Sequence, residues 1–191
     1  MQTKSILIAG VGGQGTLLAS KLLGRLLLSA GFDVKVSEVH GMSQRGGSVV
    51  TYVRFGSEVC SPMIDRGEAD CIVAFEQLEA ARWLPYLKTG GTIVMNTQRM
   101  APMPVITGAA SYPEGIPEKL KAAGVNVDTL DALALAEQAG SAKCVNIVLM
   151  GRLSHYFPEI PESAWLEALD AVVPAKLLET NRTAFALGKN A

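Results

Sequence analysis

Residues 5–30 read SILIAGVGGQGTLLASKLLGRLLLSA, and this stretch decides the fold. Residues 5–9 are a short apolar and β-branched run ending at Gly10, which reads as a buried strand. Residues 15–30 then place Leu17, Leu18, Leu22, Leu23, Leu26 and Leu27 on one helical stripe, with Lys21 and Arg25 on another face. Gly31 stops that helix. Between strand and helix stand Gly10, Gly12, Gly13, Gln14 and Gly15, which fit the pattern G-x-G-x-x-G. Glycines there allow a tight turn and close backbone approach. The free N–H groups of the helix start face whatever anion comes near.

Outward from this unit the chain alternates. Residues 33–39 alternate apolar and polar and read as a second strand. Residues 48–55 are strand-like, and with residues 58–60 around Gly56-Ser57 they suggest an antiparallel hairpin. Strands over 70–75 and 92–96 flank a helix over 76–87. Residues 100–117 are proline-rich and carry Glu114 as their sole charge, so they read as a loop with a strand-like piece at Val105-Ile106. A short helix over 118–123, an edge strand over 125–127, and helices over 132–139, 145–157, 162–172 and 175–188 complete the chain. The expectation is one domain over residues 1–191. It is a three-layer α/β/α arrangement with a Rossmann-like, mixed and mostly parallel sheet and a helical C-terminal third.

Composition narrows the function. The 191 residues hold 17 Lys plus Arg and 18 Asp plus Glu, for a net charge of −1. That balance argues against nucleic acid, which demands a basic face. The 35 charges are fewer than the roughly 48 that average usage would supply. A 20.2 kDa globule exposes roughly 8,700 Å², so part of an ordinary surface is short of charge, as a surface covered by another subunit would be. Three scattered cysteines and two histidines do not suit a zinc site or a cluster held by this chain alone. They do suit a reducing cytoplasm. No apolar run is long enough for a membrane span, and the N-terminus does not read as a signal peptide.

The second glycine-rich segment, residues 40–47 (HGMSQRGG), gathers His40, Ser43, Gln44, Arg45, Gly46 and Gly47. If the first and third strands are neighbours, this loop lies beside residues 10–15. Arg45 then stands ready to clamp a phosphate or carboxylate, with Ser43 and Gln44 as hydrogen-bond partners. A purely structural role, or contact with another subunit, explains the same residues. Glu38 stands 23 residues past Gly15, where a ribose-binding acid would lie. A free-standing NAD(P)- or flavin-binding protein is therefore one reading. The missing crossover helix after the second strand argues against it. There is no G-x-S-x-G elbow for a hydrolase, no GDG triplet for thiamine diphosphate, and no phosphate loop ending in Gly-Lys. His155, beside Tyr156 in a helical stretch, reads as structural.

The segments IAGVGGQG and HGMSQRGGSVVTYVRFG together resemble the gamma-type subunits of 2-oxoacid:ferredoxin oxidoreductases, most nearly the indolepyruvate type. The likeness continues through Asp70, Glu76, Glu79, Gly90-Gly91 and Asn96, the N-x-x-x-x-G spacing of Asn146 and Gly151, and Asn181, Ala184 and Phe185. The resemblance implies a complex that oxidatively decarboxylates a 2-oxoacid, here indolepyruvate or another aryl pyruvate, to an acyl-coenzyme A. It implies a hetero-oligomer in which a large partner subunit carries thiamine diphosphate and the iron–sulfur clusters and ferredoxin takes the electrons. This chain would hold no cofactor, contribute no catalytic residue, and complete the complex on the coenzyme A side. On that reading Gly10, Gly12, Gly13, Gln14 and Gly15 form one polar rim with His40, Ser43, Gln44, Arg45, Gly46 and Gly47.

Overall fold

The computed structural model describes residues 2–39 and 47–191. Its sheet has six strands: β1 (Lys4–Val11), β2 (Asp33–Val39), β3 (Ser48–Gly56), β4 (Ala69–Ala74), β5 (Leu87–Asn96) and β6 (Asn126–Leu130). They lie in the order β2-β3-β1-β4-β5-β6. The pairs β1/β4, β4/β5 and β5/β6 are parallel, whereas β3 runs antiparallel to both β1 and β2. The sheet is thus mixed and mostly parallel, as expected.

Among the described residues eight helices surround it: α1 (Thr16–Ser29), α2 (Gln77–Trp83), α3 (Met103–Ile106), α4 (Ile116–Ala122), α5 (Ala132–Gln138), α6 (Val145–Leu153), α7 (Glu162–Val172) and α8 (Leu178–Asn190). Successive strand residues face opposite sides of the sheet. Ile6, Ile8, Val53, Phe55 and Val73 therefore pack against Leu22, Leu23, Leu26 and Leu27 of α1 and the helices α5–α8. Leu7, Ala9, Tyr52, Ile72 and Ile93 pack on the other side, against Ala80 of α2 and Ile116 and Leu120 of α4. This explains why residues 5–9 are apolar without alternation: both faces of β1 are covered. Each fully buried Leu or Ile contributes about 1.5–3 kcal/mol.

Three local expectations are corrected. Residues 58–60 form no strand. The hairpin partner of β3 is β2, in register from Asp33↔Gly56 to Val39↔Val50. Past Gly56 the chain is drawn aside, because the Val59 N–H donates to Asp33 Oδ2 at 2.8 Å and Val59 is buried. Val105-Ile106 is helical, inside α3. Pro104 sets a helical φ at the first turn, and the Val105 and Ile106 amides both bond to the Pro102 carbonyl, at 2.9 and 3.1 Å. The helix expected over 76–87 ends at Trp83. A 3-10 turn containing Pro85 follows, and β5 starts at Leu87, earlier than expected.

Helices α6 and α8 approach to backbone contact. A Cβ on Gly151 would lie 2.1 Å from the Phe185 carbonyl oxygen, and one on Gly188 would lie 2.0 Å from that of Val148. No helix among the described residues is long and apolar enough to cross a membrane.

Candidate functional site

The strand order creates a crevice at the C-terminal ends of β1 and β4. After β1 the chain turns to one face of the sheet as α1, and after β4 it turns to the other face as α2. Open α/β sheets bind ligands at such a switch point. The turn of residues 10–15 stands on its lip. Gly13 and Gly15 have φ of +100° and +86°, which only glycine adopts without strain. A Cβ on Gly10 would stand 3.1 Å from Phe75 Cβ, from Thr16 Cγ2 and from Gln14 Oε1.

Gln14 fills the crevice itself. Its Oε1 accepts from the Val11 N–H at 2.8 Å. Its Nε2 donates to the Phe75 carbonyl at 3.2 Å and to Gln98 Oε1 at 3.3 Å. Asn96 extends the lattice, donating to the Phe75 carbonyl at 3.1 Å and accepting the Ala132 N–H at 3.1 Å. The Gln14 amide therefore braces the turn against the ends of β4 and β5. The backbone N–H groups of Gly13, Gly15, Thr16 and Leu17 have no acceptor among the described residues. They sit at the start of the 14-residue α1, where the helix dipole favours an anion.

Two cavities flank the turn. One, of about 630 Å³, lies between the turn and Gln98, Met100, Leu133, Lys143 and Val145. The other, of about 320 Å³, is lined by Leu17, Val39, Val49 and Thr51. Leu17 and Val39 are 40% and 53% exposed. Both cavities thus combine backbone donors with apolar walls.

His40, Ser43, Gln44, Arg45 and Gly46 lie outside the described residues. Gly47 accepts from the Gly12 N–H at 2.9 Å, so the end of that segment does meet the first glycine turn. Next to it, the Ser48 hydroxyl donates to the buried carboxylate of Glu79. Glu79 also accepts from Arg82 Nε at 3.1 Å and Trp83 Nε1 at 3.2 Å. Glu38 accepts from the Ser20 hydroxyl. β2 is separated from β1 by the antiparallel β3, so the β1-α1-β2 unit of a dinucleotide fold is interrupted.

Glu76 and Tyr112 form a second brace that the sequence did not disclose. Glu76 caps α2 by accepting the Glu79 N–H at 3.0 Å, and its other oxygen accepts from the Met100 N–H at 3.0 Å and from the Tyr112 hydroxyl. Burial, and then the hydrogen bond to Glu76, push the Tyr112 phenol well above its ordinary value. Tyr112 is the aromatic residue of the proline-rich segment, which is the one signal that could have singled it out. The segment it holds displays Met103 and Ile106, both 65% exposed.

The donor set does not suit an iron–sulfur cluster. Cys71 and Cys144 are buried and Cys60 is exposed. Burial pushes the Cys71 thiol up to about 12, away from the thiolate a metal needs. Among the described residues no three His, Cys, Asp or Glu side chains gather as ligands. His155 Nε2 contacts the Lys189 carbonyl, a helix-end contact.

The family described as pyruvate ferredoxin/flavodoxin oxidoreductase matches residues 5–191. The indolepyruvate oxidoreductase subunit IorB of Thermococcus kodakarensis is 44% identical over 197 residues, covering 100% of this chain and 96% of that one. Its counterpart from Archaeoglobus fulgidus is 37% identical, covering 97% and 94%. Among solved structures, the pyruvate oxidoreductase subunit PORC of Thermotoga maritima superposes with a TM-score of 0.76 at 20% identity, covering 100% of this chain and 97% of that one. The 2-oxoglutarate:ferredoxin oxidoreductase of Magnetococcus marinus, with 2-oxoglutarate, coenzyme A and succinyl-CoA bound, gives 0.75 at 24% identity. That match covers 100% of this chain and 31% of that one. The two structural likenesses speak to the fold.

Proposed function

The chain belongs to the pyruvate ferredoxin/flavodoxin oxidoreductase family, and on that premise we propose that it is the small subunit of an indolepyruvate:ferredoxin oxidoreductase. The observation that carries this is 44% identity to a curated subunit of that enzyme along the whole chain. The complex oxidatively decarboxylates an aryl pyruvate in the presence of coenzyme A, giving an acyl-coenzyme A and carbon dioxide and passing two electrons to ferredoxin. The large partner subunit holds thiamine diphosphate, which supplies the decarboxylation chemistry, and the iron–sulfur clusters. The scattered thiols of this chain support that division. The complex works in the cytoplasm.

The residues of this chain bind and orient rather than react. The free N–H groups of Gly13, Gly15, Thr16 and Leu17 offer a seat for an oxyanion such as a phosphate of coenzyme A. Gly12 holds Gly47 against that seat, and Arg45 supplies the charge. Gln14 keeps the turn rigid. The rim faces the active site of the partner, and the exposed Met103 and Ile106 add adaptable apolar surface to the contact.

The test is co-expression with the large subunit and measurement of indolepyruvate-dependent reduction of a viologen dye. Turnover should require both chains, and Arg45→Ala should raise the KM for coenzyme A or weaken assembly. Turnover by this chain alone, or failure of the two to assemble, overturns the proposal. A bound nucleotide or flavin on the purified chain would favour the free-standing reading instead.

A further inference from the structure

A cavity of about 470 Å³ opens at the opposite end of the sheet, where β1 and β4 begin. Ser5 of β1 stands opposite Arg54 of β3. On its other side lies Asp70 of β4, because the next residues, Ile6 and Cys71, are paired. The three side chains therefore share one sheet face, at the end that α2 and α4 leave uncovered. Asp70 is fully engaged: one oxygen accepts the Ser5 N–H at 2.7 Å and the other pairs with Lys88.

Arg54 is not. Its Nη1 donates to the Met63 carbonyl at 2.7 Å, which fixes the guanidinium plane. Its Nη2 lies 4.0 Å from Glu68 Oε2, beyond hydrogen-bond reach. Its Nε–H is buried and has no acceptor. The side chain is 23% exposed, so solvent does not fully compensate, and an unmade hydrogen bond to a buried charged donor is costly. The unspent edge, Nε with Nη2, is the edge that grips a carboxylate or phosphate through two parallel bonds. The Glu68 side chain is 48% exposed and is held by a long hydrogen bond from the Asp65 N–H to its Oε2, at 3.4 Å, and Lys88, 46% exposed and paired with Asp70, supplies a second cation across the cavity.

We infer that this cleft binds the oxyanion of a small carboxylate or phosphate, held on the unpartnered Nε–Nη2 edge of Arg54 once Glu68 moves off it, with Lys88 as counter-charge. The eight residues of β1 place it about 23 Å from the glycine turn, so it is a site separate from the one proposed above.

The test uses the ¹⁵N-labelled full chain. The Arg54 Nε–H resonance, assigned by its loss in Arg54→Lys, is followed while inorganic phosphate or acetate is added, with sodium chloride at matched ionic strength as control. A saturable shift at millimolar phosphate or acetate is expected, and whichever acts identifies the oxyanion. Arg54→Lys, followed through backbone amides of residues 4–5, should weaken binding about tenfold. Lys88→Ala should weaken it less, and Glu68→Gln should strengthen it. The inference fails if neither anion gives saturation or if chloride gives the same shift. It also fails if Glu68→Gln alone moves the resonance as far as saturating anion does, for then Glu68 is the partner of Arg54.

Discussion

The carboxamide of Asn146 donates to the carbonyl oxygen of Gly15 at 3.1 Å, joining residues 131 apart in sequence. The same side chain accepts the Ile147 N–H at 2.9 Å. A side chain at the start of α6 thus fixes the residue that caps α1, and the orientation of the glycine turn depends on both helices.

Gly15→Ala should destabilise the protein more than Gly13→Ala. Both positions have positive φ, which costs a side-chain-bearing residue about 1–2 kcal/mol. Only at Gly15 would the new Cβ lie 2.8 Å from Asn146 Nδ2, whereas at Gly13 nothing lies within 4 Å. Urea midpoints should rank wild type, Gly13→Ala, Gly15→Ala in falling order. Adding Asn146→Ala to Gly15→Ala should cost less than the sum of the single changes.

Gln14→Ala should lower stability by about 1–3 kcal/mol, since the Val11 N–H loses its partner in a part-buried crevice and the Phe75 carbonyl loses one of its two donors, keeping Asn96. Gln14→Glu should be no better, because a carboxylate oxygen would face the Phe75 carbonyl and Gln98 Oε1. Equal midpoints for wild type and both variants would refute the bracing role.

Stability should fall at alkaline pH. Tyr112 and Tyr156 both have phenol values raised above 10.0, by burial first and then by hydrogen bonds to Glu76 and Asp128. The folded state therefore keeps protons that the unfolded chain releases. Its advantage is complete below pH 10.0 and fades as pH rises toward the folded values. Cys71, raised from 9.0 to about 12, acts in the same direction from pH 9.0 upward. Tyr112→Phe should flatten the alkaline decline in urea unfolding and should speed proteolysis within residues 100–112.

Thiol titration of the native chain should show one fast site and two slow ones. Cys60 is exposed, while Cys71 and Cys144 are buried, and burial raises both buried thiols. Urea should make all three fast, and Cys60→Ser should remove the fast phase alone.

The parts of this molecule that were legible in sequence are those set by local chemistry. Strand β1, the glycine turn and α1 follow from apolar periodicity and from glycine's freedom at residues 10–15. The α7 range was read without error because Pro161 precedes it and Val173 ends its apolar stripe. The pairing of β3 with β2 was not legible, because Asp33 catches Val59 through a tertiary contact. The part played by Gln14 was ambiguous for a similar reason: a glutamine in a phosphate-type loop serves a ligand or the loop equally well. Only the position of Phe75, brought alongside by β4, shows how its amide is engaged. Asn146 and Gly151 were visible as a spacing whose physical sense, a cap on Gly15 and a close approach to α8, needed three dimensions.

The placement of β3 between β1 and β2 also constrains how the chain acquires its shape. When β1, α1 and β2 have emerged, the slot beside β1 is still empty, about two strand spacings or roughly 9.6 Å wide. β2 has nothing to pair with until residues 48–56 arrive. Docking of β2 therefore waits on β3 and on closing the segment between the two strands. Altering the length of that segment should change the refolding rate more than it changes the final sheet.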